Sequence, residues 1–391
     1  MNKRIEKIVS TPYIMVVLYV AFALAASIQA LVSGTKTFHK GGVEYNRYNN
    51  YTIFEKSSHH LKNQQDLYVL YPNEHWDLYK YTPTFSAFFG PFALLPDWLG
   101  LCTWNLLNAL FLLFAVYYLP KLTNLQKGGV LLIVLIELMT SMQNAQSNGL
   151  MSGLLVLSFG LLENRKYLLA ALCIVFSVYI KLFGIVGLAL FLFYPQKWKL
   201  ALSAFFCTIL LWLVPLLFVD FTQYMKLFSS YSAMLSNDHS NSLGYSVMGW
   251  LNTWFGLVLN KNIIVLAGAA VFLIPFIRYT EYEKYTFRLW ALASILIWIV
   301  IFNHKAESAT FIIAITGVAL WFIAAKKSTL NIALLCFAFV FTVLSPTDLF
   351  PAVVREEYVK PYTLKALPCI LIWIKLIADM LDEKQLYVQK N

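Results

Sequence analysis

From Thr11 to Val32 the chain reads TPYIMVVLYVAFALAASIQALV, without one charged side chain. A helix that crosses a bilayer needs about 20 apolar residues, because lipid offers its backbone polar groups no partner. Runs of this kind recur to the end of the chain, and they decide the fold class. The expectation is an all-α polytopic membrane protein, with 1–391 forming a single integral membrane domain. Composition agrees: 13% of residues are charged and 59% hydrophobic, whereas soluble domains carry roughly 25% charged residues.

After the first run, spans are expected near 99–119, 128–143, 149–162, 167–182, 184–195, 200–218, 262–277, 287–303, 308–325, 329–344 and 365–381, about twelve in all. Lys3, Arg4 and Lys7 precede the first span and place the N-terminus in the cytoplasm. The breaks between runs alternate in character. PKLTNLQK, ENRK, YPQKWK, RYTEYEKYTFR, KK and the tail DEKQLYVQK are rich in Lys and Arg and belong inside. A long first loop (33–81), AQSN, IKLFG, a second loop (219–260), NHKAES and 345–364 belong outside. The piece TPTFSAFFGPFALLP (82–96) breaks the alternation. It is short, with Gly90 and Pro91 mid-run, so it is expected to be a re-entrant or broken helix packed against protein. Both termini then lie in the cytoplasm.

Several function classes are disfavoured. The net charge of +10 is spread over residues flanking apolar runs, so no nucleic acid partner is expected. The five cysteines form no CxxC, and His59-His60 is poor metal geometry on a helix, so no metal and no cofactor are expected. P-loop, GxSxG, HExxH and GxGxxG motifs are absent. No cleavage pattern follows the first run, which is read as a retained helix.

The outer breaks collect the polar chemistry. Within the first loop, YTIFEKSSHHL places Tyr51, Phe54 and Leu61 at helical spacing, as in an amphipathic helix on the membrane surface. The loop's many tyrosines suit either headgroup anchoring or stacking on sugar rings. Lys181 lies in the apolar stretch SVYIKLFGIVG, as a functional cation or as a snorkelling lysine at a helix end. QNAQSNGL offers Gln143, Asn144, Gln146 and Asn148; Asp238 and His239 fall in a very polar loop.

Taken together, several segments look familiar. DLYKYTPTFSAFFGPFALLP resembles the Y-x-PP…LP signature of glycosyltransferase family 87, the polyprenol-phosphate-dependent, mannosyltransferase-like group of the GT-C superfamily. The stretch from AQSNGLMSGLL to YIKLFGIVGLALFLF is similar to that family's GQ-x-N…AG…K block. YSVMGWLNTWFG and NHKAES occupy further family positions, in order, between about residues 44 and 325. The resemblance implies a GT-C fold and an integral protein, with its active site on the outer, periplasmic face of a bacterial inner membrane. It implies transfer of a hexose or mannose-like sugar from a polyprenyl-phosphate donor to a lipid or glycan acceptor, with inversion.

Members carry an Asp soon after the first helix as general base. Here the nearest carboxylate is Glu44, with Asp77 and Asp66 as rivals. Such chemistry needs a carboxylate to take the acceptor's proton and cations or donors for the departing phosphate. Lys181, His304 and Lys305 are the candidate phosphate contacts, helped by Gln146 and Asn148. Tyr79 and Tyr81 are candidates for the sugar or acceptor pocket, and Glu307 is a charge partner or a further base. A transporter or flippase is the alternative, although no internal repeat is evident. A polymerase or ligase of lipid-linked glycans is a further one.

Overall fold

The computed structural model describes residues 3–38, 42–237 and 242–382. Asp238 and His239 lie outside the described residues. Among the described residues, regular structure is helical except for one small hairpin. Helix α1 (Lys3–Ser10) leads into α2 (Pro12–Val32), which starts at Pro12 because a proline's missing N–H costs nothing in a first turn. Strands β1 (Thr35–Thr37) and β2 (Glu44–Asn46) pair antiparallel, with Lys36 opposite Tyr45. Helices α3 (Asn49–Lys62), α4 (Pro83–Ala93), α5 (Asp97–Tyr118), α6 (Asn124–Gln143), α7 (Asn148–Glu163) and α8 (Tyr167–Ile180) follow.

A 3-10 segment, Leu182–Phe193, leads to α9 (Lys197–Leu213), α10 (Phe221–Asn237), α11 (Val247–Phe255), α12 (Lys261–Leu273) and α13 (Tyr285–Ile301). The chain ends with α14 (Phe311–Ala324), α15 (Thr329–Ala338), the single turn α16 (Ala352–Val354) and α17 (Leu367–Leu381).

Helices α7, α13 and α14 form the centre. Every residue of α7 from Asn148 to Leu162 is buried. Gly149 and Gly153 let α5 close onto it: a Cβ on Gly153 would sit 2.7 Å from the Phe111 ring. At the other extreme, α9 buries only Leu200 and Cys207 and exposes Trp198, Leu202, Phe205 and Phe206. An apolar face this exposed would be insoluble in water and suits lipid.

Among the described residues, four helices are long and apolar enough to cross a membrane: Pro12–Val32, Asp97–Tyr118, Asn124–Gln143 and Lys197–Leu217. This corrects the expectation of about twelve spans. The other apolar helices are shorter, at 10–17 residues. An apolar run measures hydrophobicity, not helix length. Pro215 and Pro275 stand in 3-10 turns that end α9 and α12, and the run 167–195 is cut at Lys181. Helix α4, expected to be broken or re-entrant, is 11 residues long, about 16 Å at 1.5 Å per residue. That is half the thickness of a bilayer's hydrocarbon core, about 30 Å.

Helix α3 departs from the surface helix expected of YTIFEKSSHHL. Tyr51, Phe54 and Leu61 do share a helix, but all are buried. Phe54 meets Phe85, Phe89 and Trp104 with ring centroids 5.2, 5.4 and 6.0 Å apart. The helix is packed inside the protein because its partners in α4 and α5 are themselves aromatic.

The alternation of the breaks has a spatial counterpart. Glu163 of ENRK receives two bonds from Arg288 of RYTEYEKYTFR, at 2.6 and 2.9 Å, and one from Tyr194 of YPQKWK at 2.7 Å. Tyr285 donates to the carbonyl of Pro120, beside KLTNLQK. Four of the Lys- and Arg-rich breaks therefore meet near the Glu163 end of α7. At its other end Asn148 bonds Lys181 of IKLFG and the Ala309 carbonyl just beyond NHKAES.

Candidate functional site

The site is built on the turn between α6 and α7. Ala145 adopts a left-handed φ of 49°, which turns the chain sharply after α6. Trp104 Nε1 donates to the Ala145 carbonyl at 3.0 Å, and Asn108 Oδ1 accepts from the N–H of Leu150 at 2.9 Å. These bonds fix Gln146 and Asn148, both buried. The start of α4 is clipped to the end of α8, since Thr82 Oγ1 donates to the Tyr179 carbonyl at 2.5 Å. This sets Tyr81 beside Lys181, which stands in the break between α8 and the 3-10 segment.

Lys181 is the focus. Its ammonium donates to Asn148 Oδ1 at 2.7 Å and Gln146 Oε1 at 3.3 Å, and lies 5.6 Å from the centre of the Tyr81 ring. Tyr81 also donates to Gln146 Oε1, at 3.4 Å. Among the described residues, no carboxylate forms an ion pair with Lys181. A half-buried ammonium held only by amide dipoles keeps its charge for a visiting anion.

Glu307 acts on this group electrostatically. Burial pulls the Lys181 ammonium below its ordinary pKa, and the Glu307 carboxylate pushes it back up. Glu307 likewise raises Lys36 against burial, and adds to the burial that raises the Tyr81 phenol. The segment is tied in covalently distant fashion: Asn148 Nδ2 donates to the Ala309 carbonyl at 2.9 Å. The Glu307 side chain caps the following turn at Thr310, yet remains exposed. Gly244 packs its backbone on the preceding turn: at φ 55°, a Cβ there would lie 2.6 Å from the His304 carbonyl oxygen. Tyr245 N–H then donates to the Ala306 carbonyl at 2.9 Å. His304 and exposed Lys305 sit on that turn, just ahead of Glu307.

The structure thus brings together Gln146, Asn148, Lys181, Tyr81 and Glu307. Asp77 lies at the margin. Its carboxylate contributes to the raised Tyr81 phenol, but pairs with Lys80 at 2.8 Å and accepts from Leu78 N–H at 2.7 Å. Tyr79 is sealed in the core, 1% exposed, and donates to the Thr82 carbonyl at 2.8 Å, where it shapes the loop.

Asp66 is a staple. It accepts from Ser230 Oγ of α10 at 2.7 Å and from Tyr68 N–H at 2.9 Å. Asp66→Ala is expected to lower stability by about 2 kcal/mol while leaving turnover per folded molecule within about twofold. Thermal melts beside specific activity check this; a collapse of turnover in fully folded protein would make Asp66 a site residue. Glu44 points elsewhere. It lies on the hairpin face opposite Lys36, by the alternation of strand side chains, and accepts from Thr35 Oγ1 at 2.5 Å.

Sequence reasoning missed Lys36, a lysine in an otherwise plain polar stretch. It also missed the buried pair of Glu137 and Lys365, 2.8 Å apart. Glu137 is the one charge in the run 128–143, and that was the available signal.

Residues 79–302, more than half of the chain, match the family model described as Glycosyltransferase family 87. The matched stretch contains Tyr81, Gln146, Asn148 and Lys181. No curated protein matches the chain.

Proposed function

The chain belongs to glycosyltransferase family 87, and from that premise we propose that it moves a hexose or mannose-like sugar from a polyprenyl-phosphate carrier to a lipid or glycan acceptor. The observation that carries this reading is the Lys181 ammonium, held by the Gln146 and Asn148 carbonyls and, among the described residues, in no ion pair with a carboxylate. When the glycosyl bond breaks, negative charge grows on the departing phosphate. A fixed cation at that point stabilises the transition state more than the ground state. Lys36, whose ammonium is raised by Glu307, and Lys305, two residues before Glu307, bring further cationic side chains to this side of the protein.

The acceptor hydroxyl needs a base. Glu307 is the proposed one, because its charge is felt at Lys181, Tyr81 and Lys36 alike. The proton passes to its carboxylate as the oxygen attacks the anomeric carbon from the face opposite the phosphate, which inverts that centre. Asp77, whose charge also reaches Tyr81, is the second candidate, and Glu44, favoured on sequence, is the third. In this reading the site opens on the outer face of a bacterial inner membrane, both termini are cytoplasmic, and several shorter helices complete the bundle by packing against the four long ones.

Three variants separate the carboxylates. Glu307→Gln is expected to slow transfer by about 100-fold or more, Asp77→Asn by less than tenfold, and Glu44→Gln to act on acceptor use instead of the maximal rate. Steady-state transfer with varied donor and acceptor tests this. Near wild-type turnover in Glu307→Gln would remove it as the base.

A further inference from the structure

A cavity of about 320 Å³ opens on the hairpin face that carries Glu44. Thr35, Glu44 and Asn46 line it from the hairpin, Thr52 from α3, and Asn73 and Glu74 from the turn that follows. Its size is at the lower end of small-molecule sites, roughly 300–1,000 Å³. Thr52 is more than nine-tenths buried, and its hydroxyl oxygen has no hydrogen-bond partner among the described residues. A buried hydroxyl left so costs about 1–3 kcal/mol unless a bound molecule or water supplies the bond.

We propose that this cavity binds a neutral, polyhydroxylated ring: the sugar of the acceptor. The carboxylates of Glu44 and Glu74 and the amides of Asn46 and Asn73 offer paired acceptors and donors to vicinal hydroxyls, and Val43 and Pro72 add apolar lining. The same carboxylates repel phosphate, so the donor headgroup is excluded here and drawn to Lys181. The pleat of one hairpin keeps the two charges apart, with Lys36 on one face and Glu44 on the other.

A bare metal ion fits poorly. The volume is far too large for one. Glu44 Oε2 is engaged by Thr35, and Glu74 Oε2 lies 3.0 Å from His60 Nε2. Among the described residues, no three His, Cys, Asp or Glu side chains gather as a metal would need. The sugar's identity as the acceptor rests on the transfer reading above; its binding does not.

The test uses the full chain in lipid nanodiscs, titrated calorimetrically with neutral gluco-, galacto- and manno-disaccharides, with glucose 6-phosphate and with calcium. At least one neutral disaccharide is expected to bind, and glucose 6-phosphate not to. Asn73→Trp fills the rim. The Asn73 side chain makes no hydrogen bond among the described residues, so folding should be untouched while disaccharide affinity falls by about tenfold or more. Glu44→Gln should weaken it by about threefold to tenfold, and Lys181→Ala should leave it unchanged.

No disaccharide binding in the wild type, binding unmoved by both cavity variants, or calcium binding in place of sugar would overturn the proposal. Transfer unaffected in an Asn73→Trp protein that no longer binds sugar would overturn the acceptor assignment. Sugar binding that falls in Asn73→Trp, in a chain that transfers nothing, would support the site and count against the reaction.

Discussion

Lys181→Ala slows sugar transfer by about 100-fold or more without unfolding the protein, on the scale of losing one preorganised donor to a developing oxyanion. Its ammonium touches Asn148, Gln146 and the Tyr81 ring. Removing it leaves two amide carbonyls without a donor, a modest cost in a site partly open to water. The chemical loss is larger, because nothing else in direct contact carries a charge that the leaving phosphate can meet. The kinetic signature is a fall in the maximal rate that saturating donor does not restore. Lys181→Arg should recover little, since a guanidinium is wider and flatter than the ammonium the two carbonyls grip. The sign with pH follows from the lowered ammonium pKa. The charged form is present at neutral pH and is lost as pH rises, so wild-type transfer should decline on the alkaline side. Unchanged kinetics in Lys181→Ala would return the residue to a snorkelling role.

Lys365→Met gives the largest expected change in stability, a loss of about 3–5 kcal/mol. Lys365 and Glu137 are 2% and 0% exposed, and their Nζ and Oε1 atoms are 2.8 Å apart. Lys365 also donates to the Thr342 carbonyl at 2.9 Å, tying the segment before α17 to the π-turn that follows α15. Glu137 lies within α6, and its second oxygen has no hydrogen-bond partner among the described residues. Deleting the lysine therefore strands a carboxylate where neither water nor another cation reaches it. Deleting both charges does not. The double variant Glu137→Leu/Lys365→Met should regain most of the loss, because the desolvation cost of both ions disappears with them. Thermal unfolding in detergent distinguishes the cases. A double variant as unstable as the single would mean that the pair does more than satisfy itself.

These two lysines mark what a sequence can and cannot disclose. Lys181 stood out because it interrupts an apolar run, and Gln146 and Asn148 because they share a polar break in a chain with few. Their shared assignment comes from the alternation of breaks, which puts AQSN and IKLFG in one set. Glu137 was easy to overlook: one acidic residue in a long apolar run, with its partner 228 positions away. Helix length was illegible for a related reason. Hydropathy records what a segment avoids, and α7, α13 and α14 avoid water by being surrounded by protein, so they can be shorter than a bilayer. The choice among carboxylates needs distances that a sequence does not carry. Glu44 sits early in the first loop, where a base was sought, on the hairpin face opposite Lys36, while Glu307, far along the chain, raises the Lys181 ammonium.

The most direct measurement of the central claim uses the purified chain alone, in nanodiscs, supplied with a labelled polyprenyl-phosphate sugar and a neutral glycan acceptor. The account predicts a glycosylated product with inverted anomeric configuration and free polyprenyl phosphate in equal amount. It also predicts that this product is nearly absent with Lys181→Ala. Movement of the labelled lipid between leaflets with no new glycosidic bond, or full transfer in the Lys181→Ala protein, would contradict it.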